Sequence, residues 1–342
     1  MMQSIPVRKA VGHVLAHDVT RIVPGQDKGP AFKKGHIIQE QDIETLLDIG
    51  KANIYVLELS PDQVHEDDAS RRIAAAAAGQ GIKLSVPSEG RVNLIAEVPG
   101  LLKINVEALS ELNSIHDVVF ATLHRNHRVA AGQPVAGTRV IPLVVTERQV
   151  ADAEKVCCDN QPIVSVKPFQ SLSVGMVTTG SEVFQGRIKD QFGPVVEKKF
   201  KALGSQVVRQ IYVADEVEKT VEAVRTLIAD GAQMVVLTGG MSVDPDDRTP
   251  AGIRGTGARV VTYGAPLFPG AMFMLAYIDD VPVVGLPGCV MYYRASVFDL
   301  VVPRILAGES LTKADIVAMG HGGFCTSCEE CRYPVCAFGK GQ

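Results

Sequence analysis

The sequence predicts an α/β domain over residues 171–310, in which a parallel sheet lies between two helical layers, and an α+β domain before it over residues 1–150. The first observation is a regular alternation after residue 171, where apolar segments of strand length are followed by amphipathic segments of helix length. This alternation is typical of βα units, which form three-layer structures around a parallel sheet. The second observation is that glycine-containing loops directly follow three of the predicted strands.

The elements after residue 171 are predicted from their hydrophobic periodicity. Strands are expected at 173–178, 206–213, 234–237, 259–262 and 281–285, and helices at 193–203, 215–230 and 291–306. In the second helix Val217, Val221 and Val224 recur at three- and four-residue spacing, and Asp215 precedes them as the expected N-cap. The predicted strands contain consecutive apolar residues, whose side chains would alternate between the two faces of the sheet. This pattern is expected of a sheet that is buried on both faces.

The first half shows mixed structure but no convincing chemistry. Helices are expected at 40–47, 67–79 and 106–112, and strands at 92–98, 118–123 and 138–145. His116, His124 and His127 are interpreted as surface residues of a β-hairpin, because no cysteine or histidine spacing around them supports a zinc site. Residues 151–170 are expected to form a linker, and residues 311–342 a cysteine-rich, metal-binding tail.

The composition indicates ordinary globular cores and no preference for polyanions. Of the 342 residues 46% are hydrophobic and 21% are charged, and the formal net charge is -4. Since no basic stripe is present, nucleic-acid binding is not expected. No apolar run reaches the ~18 residues of a membrane span, and the start of the chain lacks the pattern of a signal peptide. We therefore expect a cytoplasmic protein without a membrane partner.

One loop combines glycines, hydroxyls and acids directly after a buried strand. Its glycine and polar residues are Thr238, Gly239, Gly240, Ser242, Asp244, Asp246, Asp247, Arg248 and Thr249. Glycine has no Cβ, so the backbone can approach a ligand and direct its N–H groups toward an anion. The carboxylates supply the oxygen ligands that Mg²⁺ prefers. The alternative is an ordinary strand-to-helix loop with a solvated acidic tip.

Two further loops follow strands of the same predicted sheet. One contains Thr179, Gly180, Ser181 and Glu182, and the other contains Pro287 and Gly288. Because ligands bind outside the carboxyl ends of parallel strands, the three loops are expected to converge at one edge. Their donors and acids suit a phosphate-bearing organic ligand with a divalent cation. The loops contain no histidine, no Gly-x-Ser-x-Gly elbow and no dinucleotide fingerprint, so neither nucleophilic hydrolysis nor dinucleotide binding is expected.

Residues 171–310 resemble the molybdopterin-binding domain of molybdenum-cofactor biosynthesis proteins, which molybdopterin adenylyltransferases and molybdopterin molybdenumtransferases share. The matching motifs are Val177-Thr-Thr-Gly-Ser-Glu182, Gly186-Arg-Ile-Lys-Asp190, Thr238-Gly-Gly-Met-Ser-Val243 with Asp247 and Thr249, Pro269-Gly270 and Leu286-Pro-Gly288. The Ser-Val after the glycine pair resembles the molybdenumtransferase branch, as does the N-terminal stretch from Ala10 to Val19.

The resemblance implies a set of roles for these residues. Asp190 and Asp247 would be the catalytic acids, acting with Mg²⁺ as molybdate is inserted into the dithiolene of the bound, adenylylated cofactor. The three loops would hold molybdopterin through its phosphate and dithiolene. The residues implied to bind the cofactor are Thr179, Gly180, Ser181, Glu182, Gly239, Gly240, Ser242, Thr249, Pro287 and Gly288.

Two turns depart from the family pattern and leave alternatives open. Phe268-Pro-Gly-Ala-Met272 stands where the family has a turn with two lysines, and Leu286-Pro-Gly-Cys-Val290 stands where it has Leu-Pro-Gly-Asn-Pro. The alternatives to molybdate insertion are a non-catalytic carrier or sensor of molybdopterin or the molybdenum cofactor, and a molybdopterin adenylyltransferase. The expected partners are molybdopterin or its adenylylated form, a second copy of the chain, and a molybdoenzyme or cofactor-pathway protein.

The last residues carry a second chemical pattern. Four of the seven cysteines, Cys325, Cys328, Cys331 and Cys336, follow the spacing C-x2-C-x2-C-x4-C. Clustered cysteines in a chain of cytosolic character suggest metal ligation more than disulfides. A tetrahedral zinc and a four-iron cluster both fit four thiolates, and the absence of other redox apparatus favours zinc. The alternative is a flexible, reduced tail.

Overall fold

The computed structural model describes residues 2–21, 29–57 and 60–341. Up to residue 168 the strands are β1 Met2–Pro6, β2 Val19–Arg21, β3 Gly29–Phe32, β4 Asn53–Leu57, β5 Gln63–His65, β6 Ile82–Leu84, β7 Val92–Ala96, β8 Gly100–Ile104, β9 Val118–Thr122, β10 Arg128–Val129, β11 Pro134–Val140, β12 Val144–Thr146 and β13 Val164–Pro168. The α-helices of this part are α1 Asp42–Asp48, α2 Glu66–Ala77, α3 Val106–Asn113 and α4 Glu147–Asp159, and a 3-10 turn covers Val7–Lys9.

The remaining elements form the sheet and helices of the second half. The strands are β14 Ser173–Thr179, β15 Gln206–Val213, β16 Met234–Thr238, β17 Arg259–Tyr263, β18 Met274–Ile278 and β19 Val281–Leu286. The helices are α5 Ser181–Phe184, α6 Phe192–Lys201, α7 Val217–Ala229, α8 Thr249–Gly255, α9 Cys289–Tyr292, α10 Val297–Leu306 and α11 Lys313–Ala318.

The chain divides into two compact units. The first comprises Met1–Val98, Lys103–Leu123 and Ala131–Val166, and the second comprises Pro99–Leu102, His124–Ala130 and Lys167–Gln342. The first unit has the expected α+β character, with a four-stranded antiparallel sheet of order β6-β7-β11-β9. Helix α2 packs on this sheet through its alanine-rich stripe, in which Ile73, Ala74 and Ala77 are fully buried.

The second unit is built on a six-stranded sheet of order β15-β14-β16-β19-β18-β17. Successive strand residues face opposite sides, and the two faces have separate cores. On one face Met176 and Val236 pack with Phe200 of α6 and Phe298 of α10. On the other face, Val177, Val235 and Leu237 of the strands pack against α7 and α8. The α/β fold with helices on both faces is therefore confirmed.

The sheet is mixed rather than purely parallel. Strands β14, β15, β16 and β19 are parallel, whereas β17 and β18 run antiparallel to their neighbours. The reason is the connection between β18 and β19, where Ile278 pairs with Val281 and only two residues intervene. Asp279 has a φ of 50°, as tight hairpin turns require. So short a connection can join only antiparallel strands.

The helix expected at 291–306 is broken into α9 and α10. Tyr293 is extended, with φ -98° and ψ 135°, and α10 begins anew after Ser296. The side chain of Ser296 accepts a hydrogen bond from Phe298 N, and Asp299 closes the capping box by accepting from the backbone of Ser296. A capping box satisfies backbone donors of a helix start, so the chain stops and restarts here.

The range expected to be a linker contains regular structure. Helix α4 begins at a capping box formed by Thr146 and Gln149, and it buries Val150, Ala153 and Cys157. Strand β13 follows at Val164–Pro168. The polar residues at the start of this range suggested an exposed connection. The buried apolar side of the helix nevertheless continues to Cys157, so the helix extends to Asp159. The predicted domain limits themselves stay predictions.

Candidate ligand-binding site

Three neighbouring parallel strands bring the three glycine-containing loops side by side. Strand β16 lies between β14 and β19, with Thr238 opposite Thr178 on one side and Leu286 on the other. The loops after these strands therefore leave the sheet at the same edge. This is the carboxyl edge, where parallel α/β sheets bind ligands.

Buried hydroxyl groups connect the first two loops. The Thr179 Oγ1 lies 3.3 Å from the Thr238 carbonyl oxygen, to which it donates, and 2.8 Å from the Thr249 Oγ1. The Thr249 hydroxyl in turn donates to the Gly239 carbonyl oxygen at 2.9 Å. Because Thr179 and Thr249 are buried, their hydroxyl groups hold the two loops together.

The glycine pair is required by the close approach of these loops. Gly239 has a φ of 85° and Gly240 a φ of 53°, in the left-handed region that glycine occupies without penalty. A Cβ at Gly239 would lie 2.1 Å from the Thr179 carbonyl oxygen, and one at Gly240 would lie 2.8 Å from the Thr249 Oγ1. No side chain fits at either position, so glycine is required at both.

The remainder of the loop is held by its own backbone and by one tyrosine. The Asp244 N–H donates to the Asp247 carboxylate at 3.2 Å, and the Asp247 N–H donates to the Asp244 carbonyl oxygen at 2.9 Å. The Tyr263 hydroxyl lies 3.0 Å from the Met241 carbonyl oxygen and 3.2 Å from that of Ser242. Burial raises the pKa of Tyr263 above its ordinary value, so the hydroxyl keeps the proton that it donates.

A cleft of about 800 Å³ opens at this edge. Its lining contains six residues predicted from the sequence, namely Gly239, Gly240, Ser242, Asp247, Pro287 and Gly288. It also contains aromatic and apolar residues that the site prediction did not include, among them Phe192, Phe268, Met272, Tyr292, Tyr293 and Phe324. The wall is therefore largely apolar, with backbone amides and one carboxylate at the glycine loop.

The other predicted loop residues lie outside the lining of this cleft. Besides Thr179 and Thr249, these are Gly180, Ser181, Glu182 and Asp190. Ser181 begins α5 and donates from both its N–H and its hydroxyl to the Asp215 carboxylate, at 2.9 and 3.0 Å. Asp215 is thus not the N-cap of α7, which is Glu216. An acid two residues after a strand suited either role, and only the tertiary contact with Ser181 decides between them.

Asp190 is occupied by hydrogen bonds within its own region. Its Oδ1 accepts from the backbone N–H groups of Phe192 at 2.8 Å and Gly193 at 3.1 Å, and its Oδ2 accepts from Gln210 at 2.7 Å. These contacts fix the start of α6, and Phe192 at that start lines the cleft. Asp190 therefore influences the cleft through the position of Phe192.

The aromatic wall has a structural origin that local sequence patterns do not reveal. Tyr292 and Tyr293 belong to the break between α9 and α10, and Phe324 belongs to the tail. The tail pairs with the turn before the cleft, since Phe268 N–H donates to Gly323 O at 2.9 Å and Cys325 N–H donates to Phe268 O at 2.8 Å. The sequence feature that could have indicated this wall is the number of aromatic residues near the turns at 268–272 and 286–293.

The four tail cysteines line a second cavity, of about 310 Å³. Cys325, Cys331 and Cys336 are partly buried against the core of the second unit, and Cys328 is exposed. Over residues 2–21, 29–57 and 60–341, no three His, Cys, Asp or Glu side chains are gathered closely enough to hold a metal ion. The four thiols thus share a cavity without forming a compact single-ion site.

Comparison with known proteins identifies the domain that carries the cleft. Residues 175–307 match the family model described as "Probable molybdopterin binding domain", which is the kind of domain that this part of the chain was predicted to resemble. The predicted resemblance is thereby confirmed. Residues 4–58 match a separate model, described as a domain of unknown function.

Curated relatives extend over more of the chain. The molybdopterin molybdenumtransferase of Staphylococcus epidermidis is 23% identical over 303 residues, which is 83% of this chain and 66% of that protein. The chain thus spans about 66% of the length of that relative. The molybdenum cofactor biosynthesis bifunctional protein of Synechococcus elongatus is 30% identical over 83 residues, or 24% of this chain and 26% of that protein.

Among solved structures, the molybdopterin biosynthesis enzyme MoaB from Thermus thermophilus has 16% identity and a TM-score of 0.32, covering 40% of this chain and 98% of its own. In the part of the chain that the structure describes, no helix has both the length and the apolar character needed to span a membrane.

Proposed function

We propose that the cleft binds molybdopterin or its adenylylated form, and that the protein inserts molybdate during molybdenum-cofactor biosynthesis. The observation that carries this proposal is the combination of one cleft, the Gly239-Gly240 backbone and the Asp247 carboxylate at the edge of a molybdopterin-binding domain. The molybdenumtransferase relatives supply the reaction, because their match extends through both halves of the chain.

The shape and chemistry of the cleft suit a flat, phosphate-bearing ligand. Its volume of about 800 Å³ lies within the roughly 300–1,000 Å³ of small-molecule sites. Phe268, Tyr292 and Tyr293 offer ring faces on which a pterin can stack. The glycine loop in the same lining offers N–H groups for the phosphate. We therefore orient the phosphate toward Gly239 and Gly240 and the pterin rings toward the tyrosines.

Mg²⁺ fits this arrangement through one protein carboxylate. Magnesium is usually held by one or two carboxylates together with phosphate oxygens of the substrate and water. Asp247 lines the cleft and would supply that carboxylate, with the ligand phosphate supplying the others. Asp190 is proposed as a positioning residue, because both of its oxygens already accept hydrogen bonds. Mg²⁺ would neutralise charge at the phosphate.

The test is an insertion assay with two aspartate variants of the same loop. Purified protein receives adenylylated molybdopterin, molybdate and Mg²⁺, and the product is measured by activation of a cofactor-free molybdoenzyme. We expect activity from the wild type and a loss of at least tenfold in Asp247→Asn. Asp246→Asn is the matched control, since Asp246 is exposed and does not line the cleft. An inactive wild type contradicts molybdate insertion.

A second candidate function is a non-catalytic carrier or sensor of molybdopterin or the finished cofactor. It is favoured by the apolar wall, where Phe268 and Ala271 stand at the positions of the two lysines in the family pattern and Cys289 at that of the asparagine. Burial raises the pKa of the Cys289 thiol, so this residue adds no charge at neutral pH. A carrier binds the pterin tightly and turns over nothing in the same assay. Adenylyl transfer would instead appear as ATP-dependent formation of the adenylylated pterin.

The proposed partners follow from the same pathway. They are a second copy of this chain and a molybdoenzyme or cofactor-pathway protein that receives the product. Analytical ultracentrifugation of the purified chain measures the first, and co-purification from its own cells measures the second. We also propose that the cysteines of the tail hold a metal, either zinc or an iron–sulfur cluster.

A further inference from the structure

We propose that Cys325, Cys328, Cys331 and Cys336 ligate a four-iron, four-sulfur cluster in a cavity that borders the ligand cleft. All four thiols line one cavity of about 310 Å³. No other cysteine lines this cavity, and all four belong to the short segment 325–336. A cavity that gathers every cysteine of the C-x2-C-x2-C-x4-C motif is a site for a group that four thiolates hold together.

The spacing of the thiols favours a cluster over a single zinc ion. Zinc is bound at about 2.3 Å by each sulfur, so four thiolates around it must lie within roughly 4 Å of one another. Nowhere in the described residues are even three such ligands gathered for one ion. The four cysteines instead line a single cavity of about 310 Å³. The C-x2-C-x2-C run is also the spacing of bacterial iron–sulfur proteins, which reverses the preference for zinc drawn from the sequence.

The walls of this cavity suit an anionic cluster. Tyr333 and Phe338 lie in it, and their rings pack edge to face with centroids 6.2 Å apart. Arg294 and Arg332 also line it, together with one acid, Glu329, so the charged side chains of the lining are positive on balance. A cluster with four thiolates carries net negative charge, which these guanidinium groups offset. Apolar cover and nearby charge are two of the means by which proteins set cluster potential.

The backbone between the first two cysteines forms the tight turn that this motif needs. Ser327 has a φ of 53°, in the left-handed region that is unusual for a residue with a side chain. The Thr326 hydroxyl lies 3.5 Å from the Cys328 sulfur. Such turns direct successive backbone N–H groups and cysteine side chains inward, as in other anion and iron–sulfur sites.

The cluster cavity and the ligand cleft share a wall. Five residues line both the cavity and the cleft, namely Tyr292, Tyr293, Phe324, Cys325 and Ser327. The wall is held by the paired backbones of Phe268 and the tail, at 2.9 and 2.8 Å. Because a cluster would fix Cys325, it would also fix this wall of the cleft. We infer that cluster loading strengthens molybdopterin binding, a consequence that rests on the proposed function, whereas the cluster itself does not.

The first experiment measures iron and acid-labile sulfide in protein purified without oxygen and then incubated with iron, sulfide and dithiothreitol. We expect about four of each per chain, together with the broad visible absorption of a cluster and its bleaching by dithionite. The combined substitution Cys328→Ala and Cys331→Ala should abolish all three signals. Cys158→Ser, which changes an exposed cysteine outside the tail, should keep them.

Two results would overturn the cluster. One is a single zinc without sulfide in the wild type, and the other is a cluster signal that survives the double substitution. Thermal unfolding of each variant, compared with the wild type, shows that the loss of signal occurs in folded protein.

The second experiment measures molybdopterin, extracted from a purified molybdoenzyme, bound to cluster-loaded and cluster-free protein by ultrafiltration. We expect at least fivefold tighter binding to the loaded form. Equal binding overturns the coupling alone. Binding to neither form, with iron and sulfide present, contradicts the proposed function and leaves the cluster supported. Pterin binding by protein that takes up no iron would contradict the cluster and leave the proposed function supported. Failure of the cluster proposal and failure of the proposed function therefore give different results.

Discussion

Gly239 occupies a position in the cleft where even one added carbon atom, a Cβ, has no room. Its backbone lies against the Thr179 carbonyl oxygen, and a Cβ there would be 2.1 Å from that oxygen. The obstacle is backbone in the middle of a buried hydroxyl network, so it cannot rotate away as a side chain would. Steric fit, rather than conformational freedom alone, explains the glycine.

We predict that Gly239→Ala lowers the free energy of unfolding by about 2–4 kcal/mol, because strain at positive φ adds to a backbone clash. The matched control is Gly257→Ala, which also has positive φ but has open space around its Cβ position. The control should cost about 1 kcal/mol. Urea unfolding of both variants measures the difference, and equal costs would show that the clash relaxes.

At the scale of elements, α10 and α11 are joined by a buried charge. Arg304 is 7% exposed and donates to Glu309 at 2.8 Å and to Asp315 at 2.7 Å. Asp315 also closes the capping box with Thr312 at the start of α11. Burial alone would raise the pKa of Asp315, but hydrogen bonds from Thr312 and Arg304 outweigh it and lower that pKa to about 2. The tail that follows α11 is thereby attached to the core.

We predict that Asp315→Asn destabilises the protein by about 1 kcal/mol at neutral pH, after allowance for solvent screening of a partly exposed group. The folded-state pKa of Asp315 lies below its unfolded value of 3.8. Its ionised form therefore stabilises the protein above about pH 4, and that contribution disappears as the pH falls through about 2.

Chemical unfolding between pH 2 and 7 checks this prediction, because the gap between Asp315→Asn and wild type should close at the acid end. Glu222→Gln is the control, since Glu222 pairs with Lys219 on the surface and is 70% exposed. Exposed pairs contribute little, so we expect no pH-dependent gap. A gap that persists at low pH would assign the effect to packing instead.

The elements whose bounds the local sequence predicts well are amphipathic helices and a strand with clear apolar patterns. The strand at 206–213 has the predicted bounds, and the helices 192–201 and 217–229 lie within two residues of theirs. The break before Ser296 was missed because the apolar residues on both sides of it were interpreted as one continuous helix, although Ser296 and Asp299 have the spacing of a capping box. The antiparallel direction of β18 was not predicted, because it depends on a two-residue turn and periodicity carries no information about direction.

For the molecule as a whole, the sequence predicts the polar side of the cleft better than the apolar side. Gly239, Gly240 and Asp247 follow one strand, so local order places them together. Tyr293 and Phe324 meet only after the tail pairs with the turn at Phe268. The cleft is completed by contacts between distant parts of the second unit, which no single-sequence pattern encodes.

We predict that molybdopterin raises the melting temperature of the transition in which the second unit unfolds. A ligand at 100 times its Kd stabilises the folded state by about 2.7 kcal/mol. Scanning calorimetry with and without the pterin measures this shift. The shift should be retained by Asp246→Asn and reduced in Asp247→Asn. An unchanged melting temperature in the wild type at saturating pterin would contradict binding to the folded cleft.

The contact between Gly239 and Thr179 also constrains how this site can change through mutation. Two loops that touch through backbone atoms cannot be varied independently, because a larger residue in one is tolerated only if the other moves. Substitutions in the 179–182 and 239–249 loops should therefore be strongly epistatic, and libraries that randomise one loop alone should yield mostly unfolded protein. Gly288, whose Cβ position is open, is free of this constraint, so new ligand preference is most accessible from the third loop.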